Sequence, residues 1–352
     1  MIDYGFEQID EEGTLFKLEQ NGEMLIISMY VDDGLCAMSN DAIYKRFLEN
    51  FSKAFTISDQ GDLHYYLGIK IKRDLEKGIT ELSQESYIED MLDRFGMTGC
   101  KPNPTPFQPG VYLYKDDCCD PADPQNKKQI HDYQVVVGAL LYLSGMTRPD
   151  IAFAVNQAAR FMSNPGEAHV QHVKRILRYL ACTKHLKLQY RRNVTHPNKL
   201  IGFVDADHAG NPEDRISISG YIFFCNGGAV SWSSKRQPIV ALSSSEAEFY
   251  AASLAGCEVE YLRRLMDGIG CPQTLPTPVY EDNQGTIYMS RNGGAFNRSK
   301  HIDTRVFRLR ELVSKGILEL VKVETQYNLA DPFTKALNGT KFVGHRLYYL
   351  FE

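Results

Sequence analysis

Short apolar runs separated by turns dominate the first 110 residues, and such runs are typical of strands. Two of them flank Asp32-Asp33-Gly34, which predicts a hairpin with two adjacent carboxylates at its tip, although this turn is also common in hairpins without a functional site. Gly68 lies inside a further run, where a glycine often marks a close backbone approach. Ser83 predicts a helix start. The predicted strands lie at 24–31, 35–38 and 63–71, and the predicted helices at 40–51 and 83–95.

Prolines and acids break this pattern at 101–128 and predict a domain boundary there or soon after. The following apolar positions recur with a helical period, and Val173 and Leu177 share one face of the last helix. A polar stretch at 191–198 predicts a second boundary. The predicted helices of this part lie at 133–146, 150–162 and 167–182.

Residues 199–352 predict one α/β unit with the order of three antiparallel strands, helix, strand, two helices, strand and terminal helix. Asn226-Gly227-Gly228 is a strong hairpin signal between the second and third strands. Pro332 suits the first position of the terminal helix. The predicted strands lie at 200–205, 219–225, 229–233, 279–283 and 318–323, and the helices at 243–266, 285–290, 304–315 and from 329 onward.

Four acids lie where a predicted strand ends or a predicted helix begins, namely Asp205, Glu248, Asp282 and Asp331. Converging carboxylates repel one another unless a cation compensates, and Mg²⁺ prefers such oxygen ligands. Two ions roughly 3.5–4 Å apart could activate a water and stabilise a leaving 3′-oxygen. Spacing alone leaves the alternatives open, which are a strand followed by an ordinary turn and four unrelated surface acids.

Composition narrows the class of protein. The chain has 352 residues, 43% apolar and 24% charged, as expected for a globular protein of two or three domains. Its acidic, polar start argues against a secretory or transit peptide, and its longest apolar stretch, 135–143, is too short to span a bilayer. Eight cysteines without a CxxC pair are typical of reduced intracellular thiols.

The net charge of −5 does not indicate nucleic-acid binding, but one segment differs from the average. Residues 170–193 contain seven Lys and Arg residues and no Asp or Glu. Such a segment could contact a phosphate backbone, with Lys174, Arg175 and Arg178 as the candidates. A solvated basic helix face explains the same composition, and both interpretations stay open.

Seven blocks within residues 197–340 resemble the ribonuclease H domain of copia-type long-terminal-repeat retrotransposons. They are FVDAD at 203–207, DRISISGY at 214–221, VSWSSK at 230–235, ALSSSEAE at 241–248, EDNQ at 281–284, KHIDTR at 300–305 and LADPFTK at 329–335. The resemblance implies a mixed five-stranded sheet flanked by helices. It also implies that the catalytic acids and metal ligands are Asp205, Glu248, Asp282 and Asp331, with Glu248 preferred to Glu246.

This resemblance implies an endonuclease that cleaves the RNA strand of an RNA–DNA hybrid with two Mg²⁺ ions, for which Mn²⁺ could substitute. Strand choice would come from contacts to 2′-hydroxyls, for which Ser217, Ser219 and Asn283 are candidates. His301 is a candidate proton shuttle, or else it caps a helix after Ser299.

The amino-terminal part resembles the end of the reverse transcriptase of the same elements. The matching blocks are YVDD at 30–33, GDL at 61–63, YLGIKI at 66–71, LSQESY at 82–87, GCKP at 99–102, GALLYL at 138–143 and TRPD at 147–150. Asp32 and Asp33 would then be the paired polymerase aspartates. No third aspartate precedes them at the end of a strand-like run, so we expect a vestigial metal site and no DNA polymerisation by this chain alone.

Together these resemblances place the chain in the α/β (α+β) class. The implied domains are a partial reverse transcriptase palm and thumb start at 1–110, a helical thumb or connection at 111–195, and a ribonuclease H-like domain at 196–352. The alternative function is a catalytically inactive remnant that binds nucleic acid. The expected partners are an RNA–DNA hybrid and other parts of a Pol polyprotein, without a membrane, in the cytoplasm (a virus-like particle) or the nucleus.

Overall fold

The computed structural model of the protein describes residues 1–10, 13–291 and 300–352, and the side chains of all of these except 300–306. Its contacts divide the chain into two units. The first unit comprises Met1–Tyr66 and Glu258–Thr274, and the second comprises Leu67–Cys257 and Leu275–Glu352. The division into domains at 1–110, 111–195 and 196–352 stays a prediction.

The first unit contains an antiparallel sheet in which each strand pairs with the next along the chain. Asn40 caps the helix that follows, since its side chain accepts from the backbone N–H groups of Ala42 at 2.9 Å and Ile43 at 3.2 Å. Ile43 is buried with Leu25 and Ile27 of the sheet. The elements are β1 (Glu7–Gln8), β2 (Leu15–Gln20), β3 (Glu23–Tyr30), β4 (Asp33–Met38), α1 (Asp41–Phe51) and β5 (Tyr65–Tyr66).

The predicted hairpin between β3 and β4 is present, but its turn is one residue earlier than predicted. Tyr30 pairs with Asp33, so the two turn residues are Val31 and Asp32, and Asp33 already belongs to a strand. Val31 has a φ of 53°, which is unfavourable for a β-branched residue, and its side chain is 83% exposed. Both aspartates lie at the exposed tip.

Helices α2 to α5 and an antiparallel sheet that includes β6, β7 and β8 form the first part of the second unit. The predicted strand 63–71 is wrong as one element, because Leu67 and Gly68 both have positive φ and form a turn. Ser83 ends a strand instead of capping a helix, and Gln84 takes the cap position. The elements are β6 (Ile69–Asp74), β7 (Ile79–Ser83), α2 (Glu85–Arg94), α3 (Lys127–Met146), α4 (Ala152–Ala159), α5 (Glu167–Thr183) and β8 (Leu188–Arg191).

The remaining elements include the predicted mixed five-stranded sheet, which is confirmed. They are β9 (Ile201–Asp207), β10 (Ile218–Cys225), β11 (Gly228–Arg236), α6 (Ser244–Gly268), β12 (Thr277–Glu281), α7 (Gln284–Arg291), α8 (Lys300–Ser314), β13 (Leu318–Lys322) and α9 (Gly339–Arg346). The strand order is β11-β10-β9-β12-β13. The first three strands are antiparallel, and β12 lies parallel to both β9 and β13.

The terminal helix does not begin at Pro332 as predicted. Residues Asp331–Phe333 form one buried 3-10 turn, and α9 begins at Gly339, where the Asn338 side chain accepts from the backbone N–H of Lys341 at 2.9 Å. Pro332 does occupy the start of a helical turn, but an asparagine cap further along defines the helix. The other 3-10 turns are Ile2–Tyr4, Lys115–Asp117, Pro124–Asn126, Pro149–Ile151 and Thr325–Tyr327.

The helices and the five-stranded sheet of the second unit share one core. Ile218 of β10 belongs to the same buried cluster as Leu140 of α3 and Ile176 of α5. The Trp232 indole N–H of β11 donates to the Ser144 carbonyl of α3 at 2.7 Å. The helical segment is therefore packed against the sheet as part of one unit. Of the described helices, none is both long and apolar enough to cross a membrane.

Candidate metal centre

Asp205 lies on the central strand of the five-stranded sheet and is 1% exposed. It pairs with Gly220 of β10, and an added Cβ there would lie 2.7 Å from Phe333 Cβ and 2.7 Å from Thr334 Cγ2. Only a glycine leaves room for the 3-10 turn to pack this closely on β10. This packing lets the Thr334 hydroxyl donate a hydrogen bond to Asp205 Oδ2.

Two further acids lie beside Asp205. The parallel strands β9 and β12 are neighbours, so Asp282, which follows β12, lies at the same sheet edge as Asp205. Glu248 comes from the start of α6. One carboxylate oxygen from each of these three residues lies within 4.8 Å of the others. The structure therefore brings together three of the four acids predicted from the sequence.

Burial makes this cluster electrostatically unfavourable when all its members are ionised. It raises the pKa of Asp205 to about 6, an effect that the Lys335 ammonium opposes. Burial, together with the carboxyls of Glu281 and Asp205, raises the pKa of Glu248 to about 11. Among the described residues, the buried oxygen Glu248 Oε2 has no hydrogen-bond partner. Closely spaced hard oxygens with uncompensated charge fit a divalent cation such as Mg²⁺.

The fourth predicted acid, Asp331, is fully buried in the 3-10 turn and lies next to this cluster, with two lysines beside it. Lys335 Nζ lies 2.8 Å from Asp331 Oδ1 and 3.5 Å from Asp205 Oδ2, and Lys341 Nζ contacts Asp331 Oδ2. Burial acts to lower the pKa of Lys335, but the carboxylates of Asp205 and Asp331 outweigh it and raise that pKa. Asp331 is therefore held to Asp205 through an ammonium group.

Sequence reasoning missed two residues of this centre. Glu281 is fully buried, its carboxylate accepts from the Asn283 backbone N–H at 2.8 Å, and burial raises its pKa well above the ordinary value. Glu281 lies two residues after the buried Val279 on β12, and this spacing indicates that both side chains point to the same buried face of the strand. Lys335 follows Asp331 by four residues, and this spacing was its signal.

Glu246, the neighbouring acid to which Glu248 is preferred, has a different role. Its carboxylate accepts from the Leu242 backbone N–H at 2.8 Å, and its own backbone N–H donates to the Ser243 hydroxyl at 3.2 Å. These contacts satisfy backbone groups at the start of α6, as expected of an acid in the first turn of a helix. Glu248, two residues later, is the member of the acid cluster.

The predicted substrate contacts differ in their surroundings. Ser217 and Ser219 are buried, and their hydroxyls accept from the Ala209 backbone N–H at 3.1 Å and from Gln237 Nε2 at 2.9 Å. The structure thus gives both hydroxyls internal partners, and their contact with a substrate stays a prediction. Asn283 is half-buried, and its side-chain oxygen accepts from the Thr286 backbone N–H at 3.0 Å at the start of α7.

The three basic candidates on α5 are half-buried. The Arg175 guanidinium donates to Thr105 Oγ1 at 2.9 Å and to the Thr105 carbonyl at 3.2 Å, so it anchors the preceding segment. For Lys174 and Arg178, the structure gives the side chains no hydrogen bond or ion pair with the described residues. These two side chains are therefore better placed than Arg175 to contact a phosphate.

Asp32 and Asp33 do not form a group of three possible metal ligands with another described residue. Within residues 1–10, 13–291 and 307–352, the one group of three or more His, Cys, Asp or Glu side chains that could hold a metal is Asp205, Glu248 and Asp282. The vestigial character of the Asp32 and Asp33 pair stays a prediction. The side chain of His301 lies outside the described residues, so its proposed shuttle role also stays a prediction.

Comparisons with known proteins find one matching family model and relatives that align with most of the chain. Residues 1–109 match the model of the family "reverse transcriptase (RNA-dependent DNA polymerase)". The chain is 38% identical over 327 residues to the retrovirus-related Pol polyprotein from transposon TNT 1-94 of Nicotiana tabacum. That match covers 93% of this chain and 24% of the polyprotein, so the chain spans only about a quarter of this relative's length.

A shorter relative is covered more fully. The chain is 30% identical over 250 residues to a putative transposon Ty5-1 protein of Saccharomyces cerevisiae, with 71% of this chain and 78% of that protein covered. Among solved structures, LC11-RNase H1 in complex with an RNA/DNA hybrid is 18% identical, with a TM-score of 0.30, and the match covers 39% of this chain and 94% of that one.

Proposed function

Because the chain belongs to the Pol polyproteins of copia-type retrotransposons and combines reverse transcriptase and ribonuclease H parts, we propose that its acid cluster makes it a Mg²⁺-dependent endonuclease for the RNA strand of RNA–DNA hybrids. One observation carries this proposal. Carboxylate oxygens of the buried Asp205 and Glu248 and of the half-buried Asp282 lie within 4.8 Å of one another at one edge of a mixed sheet. Clustered acids with strongly raised pKa values are concentrated at functional sites, and ion binding is one function that such a cluster serves.

Asp205, Glu248 and Asp282 are the residues that would hold the ion, with Asp331 completing the set. A bound Mg²⁺ would supply a Lewis acid that could activate a water and offset the charge that develops on the scissile phosphate and the leaving 3′-oxygen. The protein contributes rigidity, since Asp205 is fixed by its strand and by the Thr334 hydroxyl. Burial also excludes bulk water from Asp205, Glu248 and Asp331, which strengthens their attraction for a cation.

Substrate preference belongs to the same proposal. The likeness of the fold to the ribonucleases H supports a hybrid duplex as substrate, read through 2′-hydroxyls and duplex shape instead of base edges. Lys174 and Arg178 are candidates for contacts with its phosphates. Each phosphate contact of this kind makes binding weaker as salt increases.

A cleavage assay tests the proposal. An RNA–DNA hybrid labelled on the RNA strand is incubated with the full chain and Mg²⁺ or Mn²⁺, next to single-stranded RNA and the same hybrid labelled on the DNA strand. We expect cuts only in the RNA of the hybrid, loss of all product with EDTA, and a loss of roughly a hundredfold or more in Asp282→Asn.

The alternative of an inactive remnant that binds nucleic acid makes a different prediction for the same samples. In that case the chain would bind the hybrid in a gel-shift assay and leave both strands intact with either metal. That result would refute the enzyme proposal, because the metal and the substrate would both be present.

A further inference from the structure

Lys335 divides the candidate metal centre into two unlike halves. In one half, Asp205, Glu248 and Asp282 place carboxylate oxygens within 4.8 Å of one another. In the other half, Asp331 has an ammonium on each of its two carboxylate oxygens, from Lys335 and Lys341. The first half carries excess negative charge, whereas the second half has its negative charge already compensated.

The position of Lys335 follows from the local backbone. Its N–H donates to the Asp331 carbonyl at 3.3 Å, so the lysine is fixed one helical turn after the acid that it contacts. The ammonium then bridges two elements, since it lies 2.8 Å from Asp331 Oδ1 and 3.5 Å from Asp205 Oδ2. Both acids are buried, but the lysine side chain is 34% exposed, so its ammonium can move into solvent.

We propose that Lys335 is a built-in cation that competes with a divalent ion for Asp205 and Asp331, so that the centre binds one ion tightly and a second only when the ammonium moves away. The inference rests on the proposed function, because it assumes that the acids hold ions. The tight ion takes Asp205, Glu248 and Asp282. The second ion takes Asp205 and Asp331, and it must displace Lys335 because two cations repel at this distance.

Lys335 is by this account a positioning residue that sets the number of bound ions. A merely structural lysine would neutralise Asp331 without any link to Asp205. Lys341 provides the matched comparison, because it contacts Asp331 and the structure gives it no ion pair with Asp205. Removing either lysine deletes one positive charge beside Asp331, but only the loss of Lys335 frees both carboxylates.

The test counts ions in the full chain without any substrate. Mn²⁺ is titrated into the parent chain, Lys335→Met and Lys341→Met, and free Mn²⁺ is followed by electron paramagnetic resonance. For the parent we expect one tight ion and a second that binds roughly tenfold or more weakly. In Lys335→Met the Kd of the second ion should fall by roughly tenfold, and in Lys341→Met by less than about threefold.

Several outcomes would overturn the inference. One is that the parent binds two ions with equal affinity. Another is that the Kd of the second ion in Lys335→Met equals that of the parent. The third is that this Kd changes equally in Lys335→Met and Lys341→Met, which would indicate an effect of net charge alone. A parent chain that binds no ion would instead refute the proposed function, so the two failures are distinguishable.

A second measurement covers the possibility that Lys335→Met is less stable. Without divalent ions, the variant should unfold at a lower temperature than the parent, because Asp205 and Asp331 then repel without a bridging cation. Millimolar Mg²⁺ should raise the unfolding temperature of the variant by more than that of the parent. An equal or smaller increase would contradict competition between Lys335 and the ion.

Discussion

At the scale of single residues, Glu248 makes the largest unfavourable contribution of the acid cluster to the stability of the fold. Its carboxyl is buried beside those of Asp205 and Asp282, and one of its oxygens has no hydrogen-bond partner in the described part of the chain. Without divalent ions, we expect Glu248→Gln to raise the free energy of unfolding by about 1 kcal/mol, because burial beside other carboxyls makes ionisation of Glu248 unfavourable and glutamine has no charge to suppress. With Mg²⁺ the parent should gain stability that the variant does not gain. Thermal unfolding with and without Mg²⁺ checks both, and a less stable metal-free variant would contradict the account.

A second residue-scale prediction concerns acid sensitivity. His172 is buried in α5, its Nε2 lies 2.9 Å from the Ala154 carbonyl, and burial lowers its pKa to about 4. Between pH 6.5 and 4 the unfolded chain binds a proton that the folded chain does not. The stabilising contribution is therefore present above pH 6.5 and is lost as the pH falls towards 4, on the order of 3 kcal/mol in total.

Denaturant unfolding at several pH values measures this contribution. The neighbours that act on His172 are the Arg175 guanidinium and His169, whose own pKa is lowered by burial. His172→Gln keeps a donor for the Ala154 carbonyl but cannot titrate, so its stability should fall less steeply from pH 6.5 to 4. Parallel curves for the parent and the variant would show that His172 does not cause the loss.

At the scale of elements, Gly220 determines how the 3-10 turn packs against β10. An added Cβ would meet Phe333 Cβ and Thr334 Cγ2 at 2.7 Å each. We expect Gly220→Ala to cost roughly 1–3 kcal/mol of stability, because the turn must move, and to weaken Mg²⁺ binding, because Asp331 moves with it.

Gly138→Ala is the control for this glycine. Gly138 lies in α3, its added Cβ would meet nothing within 4 Å, and alanine is favoured in helices by about 0.5–1 kcal/mol. This variant should be as stable as the parent or more stable, with unchanged Mg²⁺ affinity. Chemical denaturation and a Mg²⁺ titration on both variants separate a local clash from a general intolerance of alanine.

The sequence predicted helices and strands correctly where the periodic pattern of apolar residues extended over a whole element. The apolar face of α5 and the order of strands and helices after residue 199 were predicted, because burial on one face forces a regular pattern. The strand 63–71 and the terminal helix were wrong for local reasons. Leu67 takes a positive φ that its residue type does not suggest, and Asn338 caps a helix after the turn that Pro332 begins.

The residues of the candidate metal centre were also predicted only in part from the sequence. The convergence of Asp205, Glu248 and Asp282 was predicted from a resemblance, because no local pattern states which acids meet. Lys335 and the buried Glu281 were missed, since their roles depend on contacts across elements. Ser217 and Ser219 were chosen for their hydroxyls, and the structure uses both hydroxyls internally.

At the scale of the whole molecule, helices α2 to α5 are packed with the five-stranded sheet in the second unit. Arg148 is 1% exposed and forms a buried ion pair with Asp150 at 2.6 Å, and Tyr179 donates to the same carboxylate at 2.5 Å. Arg346 of α9 reaches Tyr179 at 3.2 Å, which ties the end of the chain to α5. Separating these partners would leave a charge buried without compensation.

We therefore expect a fragment of residues 196–352 to fold poorly, because it would expose the side chains that pack against the helices. A fragment of residues 67–352 retains every residue of the second unit and should fold cooperatively with Mg²⁺-dependent stabilisation. Circular dichroism and thermal unfolding of the two fragments check this. A fragment of 196–352 as stable as the longer one would show that the helices are dispensable.

The most direct measurement of the central claim is the cleavage of an RNA–DNA hybrid by the full chain carrying either Glu248→Gln or Glu246→Gln. The two substitutions make the same chemical change two residues apart on α6, but only Glu248 belongs to the acid cluster. We predict Mg²⁺-dependent cutting of the RNA strand by the parent, a loss of roughly a hundredfold or more in Glu248→Gln, and activity within about twofold of the parent in Glu246→Gln. Equal cleavage by Glu248→Gln and the parent, or an intact RNA strand with the parent and Mg²⁺, would contradict this prediction.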